Sequence, residues 1–124
     1  MTTVVDASVV LAWLQDEPGS DAAEPMLMEG VIGAANWSEV LQKTRQHGVD
    51  VEAVAPLLAS FGLQVAEVTR NDGESAVQLW RGGIGLSLAD RLCLALALRL
   101  GVTAATTDAA WNRLREGPRV VLIR

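Results

Sequence analysis

Residues 87–111, SLADRLCLALALRLGVTAATTDAAW, decide how the rest of the chain is read. Ser87 and Asp90 fit the S-x-x-D capping box, which starts a helix by satisfying its orphan N–H groups. From Leu88 to Leu100 the only charges are Asp90, Arg91 and Arg99, so the predicted helix is apolar nearly all round, as buried helices are. Gly101 supplies the stop. Residues 102–107 are small and β-branched, the composition of a buried strand, and Asp108 follows at once. One helix-then-strand unit thus sets a carboxylate at a helix N-terminus and another at a strand C-terminus.

Upstream the same alternation recurs. Residues 3–5 read as a short strand ended by Asp6, and residues 7–15 as a helix with Val10, Leu11 and Leu14 on one face. Residues 20–29 form a second helix candidate, interrupted or started by Pro25. Val31-Ile32 is a strand candidate, followed by a helix over 34–47 with Trp37, Val40, Leu41 and Thr44 on one stripe. Asp50 caps a helix over 51–61. Residues 63–68 alternate as a strand, with Leu63 and Val65 on its apolar side, and residues 69–80 are helical. After Asp108 come a short helical turn over 109–115 and a last strand over 120–123. Strands alternating with helices predict an α/β fold, a mostly parallel sheet covered on both faces. Sites in such sheets form beyond the strands' carboxyl ends, near a topological switch point.

Composition narrows the chemistry. At 124 residues, half of them apolar, the chain (1–124) is expected to be a single domain with a real core. The net charge of −5 argues against a general nucleic-acid coat, so any nucleic-acid contact is expected to be local. One cysteine, Cys93, leaves no internal disulfide and reads as core packing. No signal peptide and no membrane span are read, and a cytoplasmic location is expected.

Four acids stand where a site is expected: Asp6, Glu39, Asp90 and Asp108. Each has an ordinary explanation. Asp6 and Asp108 read as N-caps, Asp90 as the distal half of its capping box, and Glu39 as a solvated residue favouring the positive end of a helix. Together they mean more. Acids converging on one sheet edge repel unless a cation neutralises them, and hard divalent ions such as Mg²⁺ are held by a few carboxylates. Metal-assisted attack on a phosphoryl centre is the chemistry that wants such a site without His or Lys. Competing sites are poorly supplied. The one histidine, His47, lies at a helix end, and there is neither G-x-S-x-G nor a P-loop. A phospho-acceptor receiver domain expects a lysine on a late strand, but the only lysine is Lys43. The four tryptophans, Trp13, Trp37, Trp80 and Trp111, read first as core or interface anchors. Arg45, Arg91 and Arg99 are the basic residues assigned to the site or its rim, with Arg91 able to meet a substrate phosphate or to form a structural ion pair.

V-V-D-A-S-V-V-L-A (4–12), W-S-E-V (37–40), L-S-L-A-D-R-L-C-L-A-L-A (86–97) and T-T-D-A-A-W (106–111) resemble the PIN-domain ribonucleases, and among them the VapC-type toxins of toxin–antitoxin pairs. The ordered set D…E…D…T-x-D carries the likeness over essentially the whole chain. The resemblance implies a PIN-like fold and an endoribonuclease dependent on Mg²⁺ (or Mn²⁺), acting on RNA such as tRNA or rRNA. It implies Asp6, Glu39, Asp90 and Asp108 as the acidic centre, with Asp6, Asp90 and Asp108 as metal ligands, and Ser8 and Thr106 as accompanying polar residues. A homodimer and a cognate antitoxin are implied partners. Many relatives carry a further acid shortly after the last Asp, where this chain has Trp111 and Asn112. That departure bears on a second metal ion more than on the first. A silent PIN-like module binding RNA or protein, and a phosphohydrolase of small substrates, are the alternative readings.

Overall fold

The computed structural model describes residues 2–124. Its elements run β1 (Thr3–Val5), α1 (Ala7–Leu14), α2 (Ser20–Leu27), β2 (Val31–Gly33), α3 (Ala34–Gln46), α4 (Val51–Ala59) and β3 (Gln64–Ala66). There follow α5 (Arg70–Gln78), α6 (Leu88–Leu100), β4 (Thr103–Thr106), a 3-10 helix (Ala109–Arg113) and β5 (Val120–Leu122). The five strands lie in the order β3-β2-β1-β4-β5, all pairs parallel, with Val4 opposite Val31 on one side and Ala104 on the other. The expected α/β sheet is present.

Parallel strands covered on both faces must be apolar on both, and the period of two divides them between two cores. Val5, Ile32 and Ala105 pack with Val9, Val10, Leu27, Val40, Val54 and Leu58 on one face. Val4 and Ala104 pack with Leu79, Cys93, Leu94, Leu96 and Trp111 on the other.

Several expectations are corrected. The α6 helix is buried all round only over residues 93–97, while Leu88, Leu98 and Leu100 at its ends are exposed. Pro25 neither starts nor interrupts α2; it lies inside the helix, in its second turn, where its missing N–H forgoes one i→i−4 bond. At the start of that helix Gly19 has φ +97°, and a Cβ there would stand 2.7 Å from the Ile123 carbonyl oxygen, so backbone meets backbone directly. β3 is an edge strand with Val65 largely exposed, because the apolar anchor is Leu63, just before the strand. Trp80 lies beyond the end of α5 and is 60% exposed, so it is not a core anchor, whereas Trp111 is fully buried. No described helix is long and apolar enough to cross a membrane.

Candidate active site

From β1 the chain proceeds outward through β2 to β3, then returns across the sheet to β4 beside β1. The switch point is therefore the gap between the carboxyl ends of β1 and β4. Asp6 leaves β1 there, its backbone N–H bonded to the Ala105 carbonyl (3.2 Å), and Thr106 ends β4 opposite.

Asp6 is the buried centre, 5% exposed. Its Oδ1 accepts from Ser8 Oγ (2.6 Å) and the Val9 N–H (3.1 Å), and its Oδ2 accepts from Thr106 Oγ1 (2.5 Å). Each hydroxyl has one proton, given to Asp6, and each accepts a backbone N–H in return. Ser8 Oγ accepts from Thr107 (3.0 Å) and Thr106 Oγ1 from Asp108 (3.1 Å). Two small polar side chains thereby lock the exit of β1 to the exit of β4. Asp6 is also the N-cap of α1, so its ordinary reading and its central position hold together.

Asp90 sits in the first turn of α6, where a complete capping box fixes it. Its Oδ2 accepts the Ser87 N–H (3.0 Å), and Ser87 Oγ accepts the Asp90 N–H (3.1 Å). Asp108 caps the 3-10 helix, its Oδ1 accepting the Ala110 N–H (2.9 Å), and is exposed. Glu39 stands half-buried in the second turn of α3 and accepts no hydrogen bond among the described residues.

The electrostatics show which acids are gathered. Burial raises the Asp6 carboxyl above its usual value, and the neighbouring Asp90 adds to this against the three hydrogen bonds that favour its charge. Burial also raises Glu39, helped by Asp90 and Asp6 and opposed by Lys43, one helical turn away. Beneath them Cys93, fully buried and repelled by Asp6, Asp90 and Glu39, has its thiol pushed well up, so it is a neutral packing residue. Asp6, Glu39 and Asp90 thus share one field. Asp108 is tied to Asp6 only through its backbone N–H on Thr106 Oγ1, and its exposed carboxylate does not enter that field.

The donor set is of carboxylate oxygens, the kind that suits a hard divalent cation. Among the described residues, no three His, Cys, Asp or Glu side chains stand close enough in this placement to form a ready ligand set. One oxygen each on Asp90 and Asp108 and both on Glu39 remain uncommitted to protein donors among the described residues, while both Asp6 oxygens already accept. The residues fit a cation held in part through water.

One neighbour was not legible as a site residue. Asn36, 1% exposed, donates from Nδ2 to the Ala89 carbonyl (3.3 Å), tying α3 to the first turn of α6 beside Asp90. The signal was its place four residues before Val40, on the buried stripe of α3. Arg99, assigned by its charge to the site or rim, is not found there. It lies at the far end of α6, bonded to Asp72 Oδ1 (2.9 Å) and Oδ2 (3.1 Å). Arg91 donates from Nη1 to the Ala76 carbonyl (3.0 Å), a clamp on α5 in place of an ion pair. His47 is exposed and ends α3, its ring Nδ1 2.8 Å from the Lys43 carbonyl oxygen.

Solved structures share this architecture. A toxin–antitoxin complex from Klebsiella pneumoniae aligns with a TM-score of 0.79 and 18% identity, over 98% of each chain. VapBC from Salmonella typhimurium, bound to DNA, aligns with a TM-score of 0.74 and 14% identity, over 100% of this chain and 99% of that one. Mycobacterium tuberculosis VapC20, a sarcin–ricin loop cleaving toxin, aligns at 0.73 and 18%, over 90% of this chain and 93% of its own. At these identities the likeness is one of fold. No curated protein matches in sequence. The profile of the PIN domain, however, matches residues 3–117, which include every acid of the site, and the chain belongs to the PIN-domain family.

Proposed function

We propose that this chain is the ribonuclease toxin of a toxin–antitoxin pair, an endoribonuclease that cuts RNA by attack of water on a phosphodiester with the aid of Mg²⁺ or Mn²⁺. The observation that carries the reading is the uncompensated field at the switch point. Burial and mutual repulsion raise Asp6 and Glu39, and among the described residues the only cation in that balance is Lys43, at the Glu39 side. A site that holds acids together at such cost is built for a cation supplied from outside.

Asp6, Asp90 and Asp108 would hold the ion, directly or through water. When bound, it supplies charge stabilisation at the phosphate and a lowered pKa for the attacking water. The chain's own part is positional. Ser8 and Thr106 fix the Asp6 carboxylate and, through the Asp108 N–H, the turn that carries Asp108. The Ser87 capping box fixes Asp90. Glu39, uncommitted and raised, orients the attacking water and accepts its proton. Arg91 is held by its Nη1 bond to the Ala76 carbonyl, and contact with a phosphate would come from its other guanidinium protons.

The folds it resembles include toxins seen with antitoxins, which supports a cognate antitoxin as partner. Exposed Leu57, Leu98 and Leu100 offer apolar surface for that contact or for a homodimer. RNA, such as tRNA or rRNA, is the proposed substrate, and the cytoplasm the proposed location.

The test uses purified chain with a tRNA pool and ribosomal RNA, with Mg²⁺, with Mn²⁺ and with chelator, beside Asp6→Asn. Discrete cuts that require the metal and fall by about a hundredfold or more in the variant are expected. A folded wild-type protein that binds RNA and metal but cuts neither RNA would replace the nuclease with a silent binding module.

A further inference from the structure

The acids that would carry the chemistry repel the substrate they act on. A chain of net charge −5 therefore needs a local cationic feature to hold a polyanion beside them. The charge is unevenly placed. Residues 109–124 hold Arg113, Arg115, Arg119 and Arg124 against Glu116 alone.

Two of these arginines line a cavity of about 290 Å³ between the α5–α6 connection and the chain that follows the 3-10 helix. Its apolar lining is Leu79, Ile84 and Leu114, and Arg81, Arg113 and Arg115 bring the charge. The two sides are fastened together. Arg81 donates to the Gln78 carbonyl (2.9 Å), the Trp80 carbonyl (2.7 Å) and Glu116 Oε2 (3.0 Å), so the rim's only acid is neutralised within the protein. Arg113 and Arg115 are exposed, and their side chains make no hydrogen bond or ion pair among the described residues. An apolar cleft at the small end of ligand-site volumes, with free guanidinium groups at its mouth, suits a flat aromatic ring flanked by anions.

Its position suits the same ligand. The 3-10 helix begins at its cap, Asp108, and ends at Arg113, a span of about 10 Å at 2 Å per residue. The cavity and Asp108 are at opposite ends of one short element.

We propose that this cavity is a substrate subsite. It receives an unstacked base of single-stranded RNA, while Arg113 and Arg115 hold the flanking phosphates and present the neighbouring phosphodiester to the acids. The proposal rests on the ribonuclease reading, and its test separates the two.

Binding is measured in chelator, where no cutting is expected, by fluorescence anisotropy of a labelled single-stranded oligoribonucleotide of about 12 nucleotides. The proteins are wild type, Arg113→Gln/Arg115→Gln and Ile84→Trp, the last filling the cleft without changing charge. Cleavage of the same RNA with Mg²⁺ is followed in parallel. The double variant is expected to bind about tenfold more weakly, with the slope of log affinity against log salt reduced by about 1.4. Ile84→Trp should bind several-fold more weakly with the slope unchanged. In cleavage both should raise KM and leave kcat within about twofold. Wild-type affinity and salt slope in both variants, with melting temperatures also unchanged, would overturn the subsite while leaving the nuclease intact. Loss of kcat alone would overturn it too, since that marks a disturbed Asp108 turn. If wild type cuts no RNA, the nuclease reading fails, and the anisotropy still decides whether the cavity takes RNA.

Discussion

Two adjacent helices of this protein begin with the same device. Thr69 caps α5 and Asp72 closes its capping box, with bonds of 3.0 and 3.1 Å; Ser87 and Asp90 do the same for α6, at 3.1 and 3.0 Å. Locally they are interchangeable, and their surroundings are not. Asp72 is buried, and burial works to raise its carboxyl, but the Arg99 guanidinium and the Thr69 bonds outweigh it and leave the group below its usual value. Asp90 faces Asp6 and Glu39 and raises both. One box closes on a cation of the chain itself, and the other opens onto a field that the chain leaves unbalanced. What distinguishes a structural carboxylate from a candidate catalytic one here is the partner brought by the fold, not the motif.

Removing the charge from each box gives the largest contrast. Asp90→Asn keeps the shape of the α6 cap and should lower metal-dependent RNA cleavage by about a hundredfold or more, with the melting temperature kept or raised. Asp72→Asn should leave the cleavage rate within about twofold and cost about 1–2 kcal/mol of stability, since Arg99 is partly solvated and loses only part of its pairing. Cleavage rates and urea melts on the two proteins check this. Equal losses of activity would mean that the box of α6 is no more functional than that of α5.

The next effect is in the pH dependence. Asp6 and Glu39 are raised, so between the usual carboxylate value and their folded values the native state binds more protons than the unfolded chain. Their contribution to stability is therefore present at low pH and lost as pH rises through the folded values. Asp72, lowered, contributes the opposite limb, present above its usual value and lost as pH falls. Without divalent ions, Glu39→Gln should flatten the falling limb and Asp72→Asn the rising one. Millimolar Mg²⁺ should raise the wild-type melting temperature by a few degrees near pH 7.5, and by progressively less as pH falls through the raised values of Asp6 and Glu39. Thermal melts across pH, with and without Mg²⁺, check this; a Mg²⁺ effect independent of pH would detach the ion from these carboxylates.

The same contrast explains what could be read without coordinates. The strand–helix alternation was legible because each strand is short, apolar and bounded by Asp or Gly, and because the Gly101 stop and the Ser87 cap are local signals. Asp6 and Asp108 were legible because ending a strand is a sequence property, and the sheet order placed those ends side by side. What failed was everything that depends on a distant partner. Arg99 looked like a site residue by its charge, yet it belongs to Asp72 across α5. Asn36 was passed over because its use is a carbonyl 53 residues away. Val65 alternated correctly but fell on an edge strand with little to cover it. Trp80 had the spacing of a core residue, and the helix ended before reaching it.

The smallest prediction isolates the caps themselves. Ser87→Ala and Thr69→Ala each remove a hydroxyl that accepts one N–H, a loss worth about 1 kcal/mol, or some 3–5 °C in melting temperature for a domain of this size. The two thermal effects should be alike, because the local geometry is alike. The kinetic effects should differ. Thr69→Ala leaves Asp72 gripped by Arg99 and should not change cleavage. Ser87→Ala loosens the turn that orients Asp90, whose neighbours repel it, so cleavage should fall about tenfold, in the range for a residue that orients a ligand. Ser87→Thr, which restores the acceptor, should recover both. If Ser87→Ala lowers the melting temperature but not the rate, then Asp90 is positioned by the packing of α6 on Asn36 and α3, and the capping box at that end of the molecule does no more than its counterpart at Thr69.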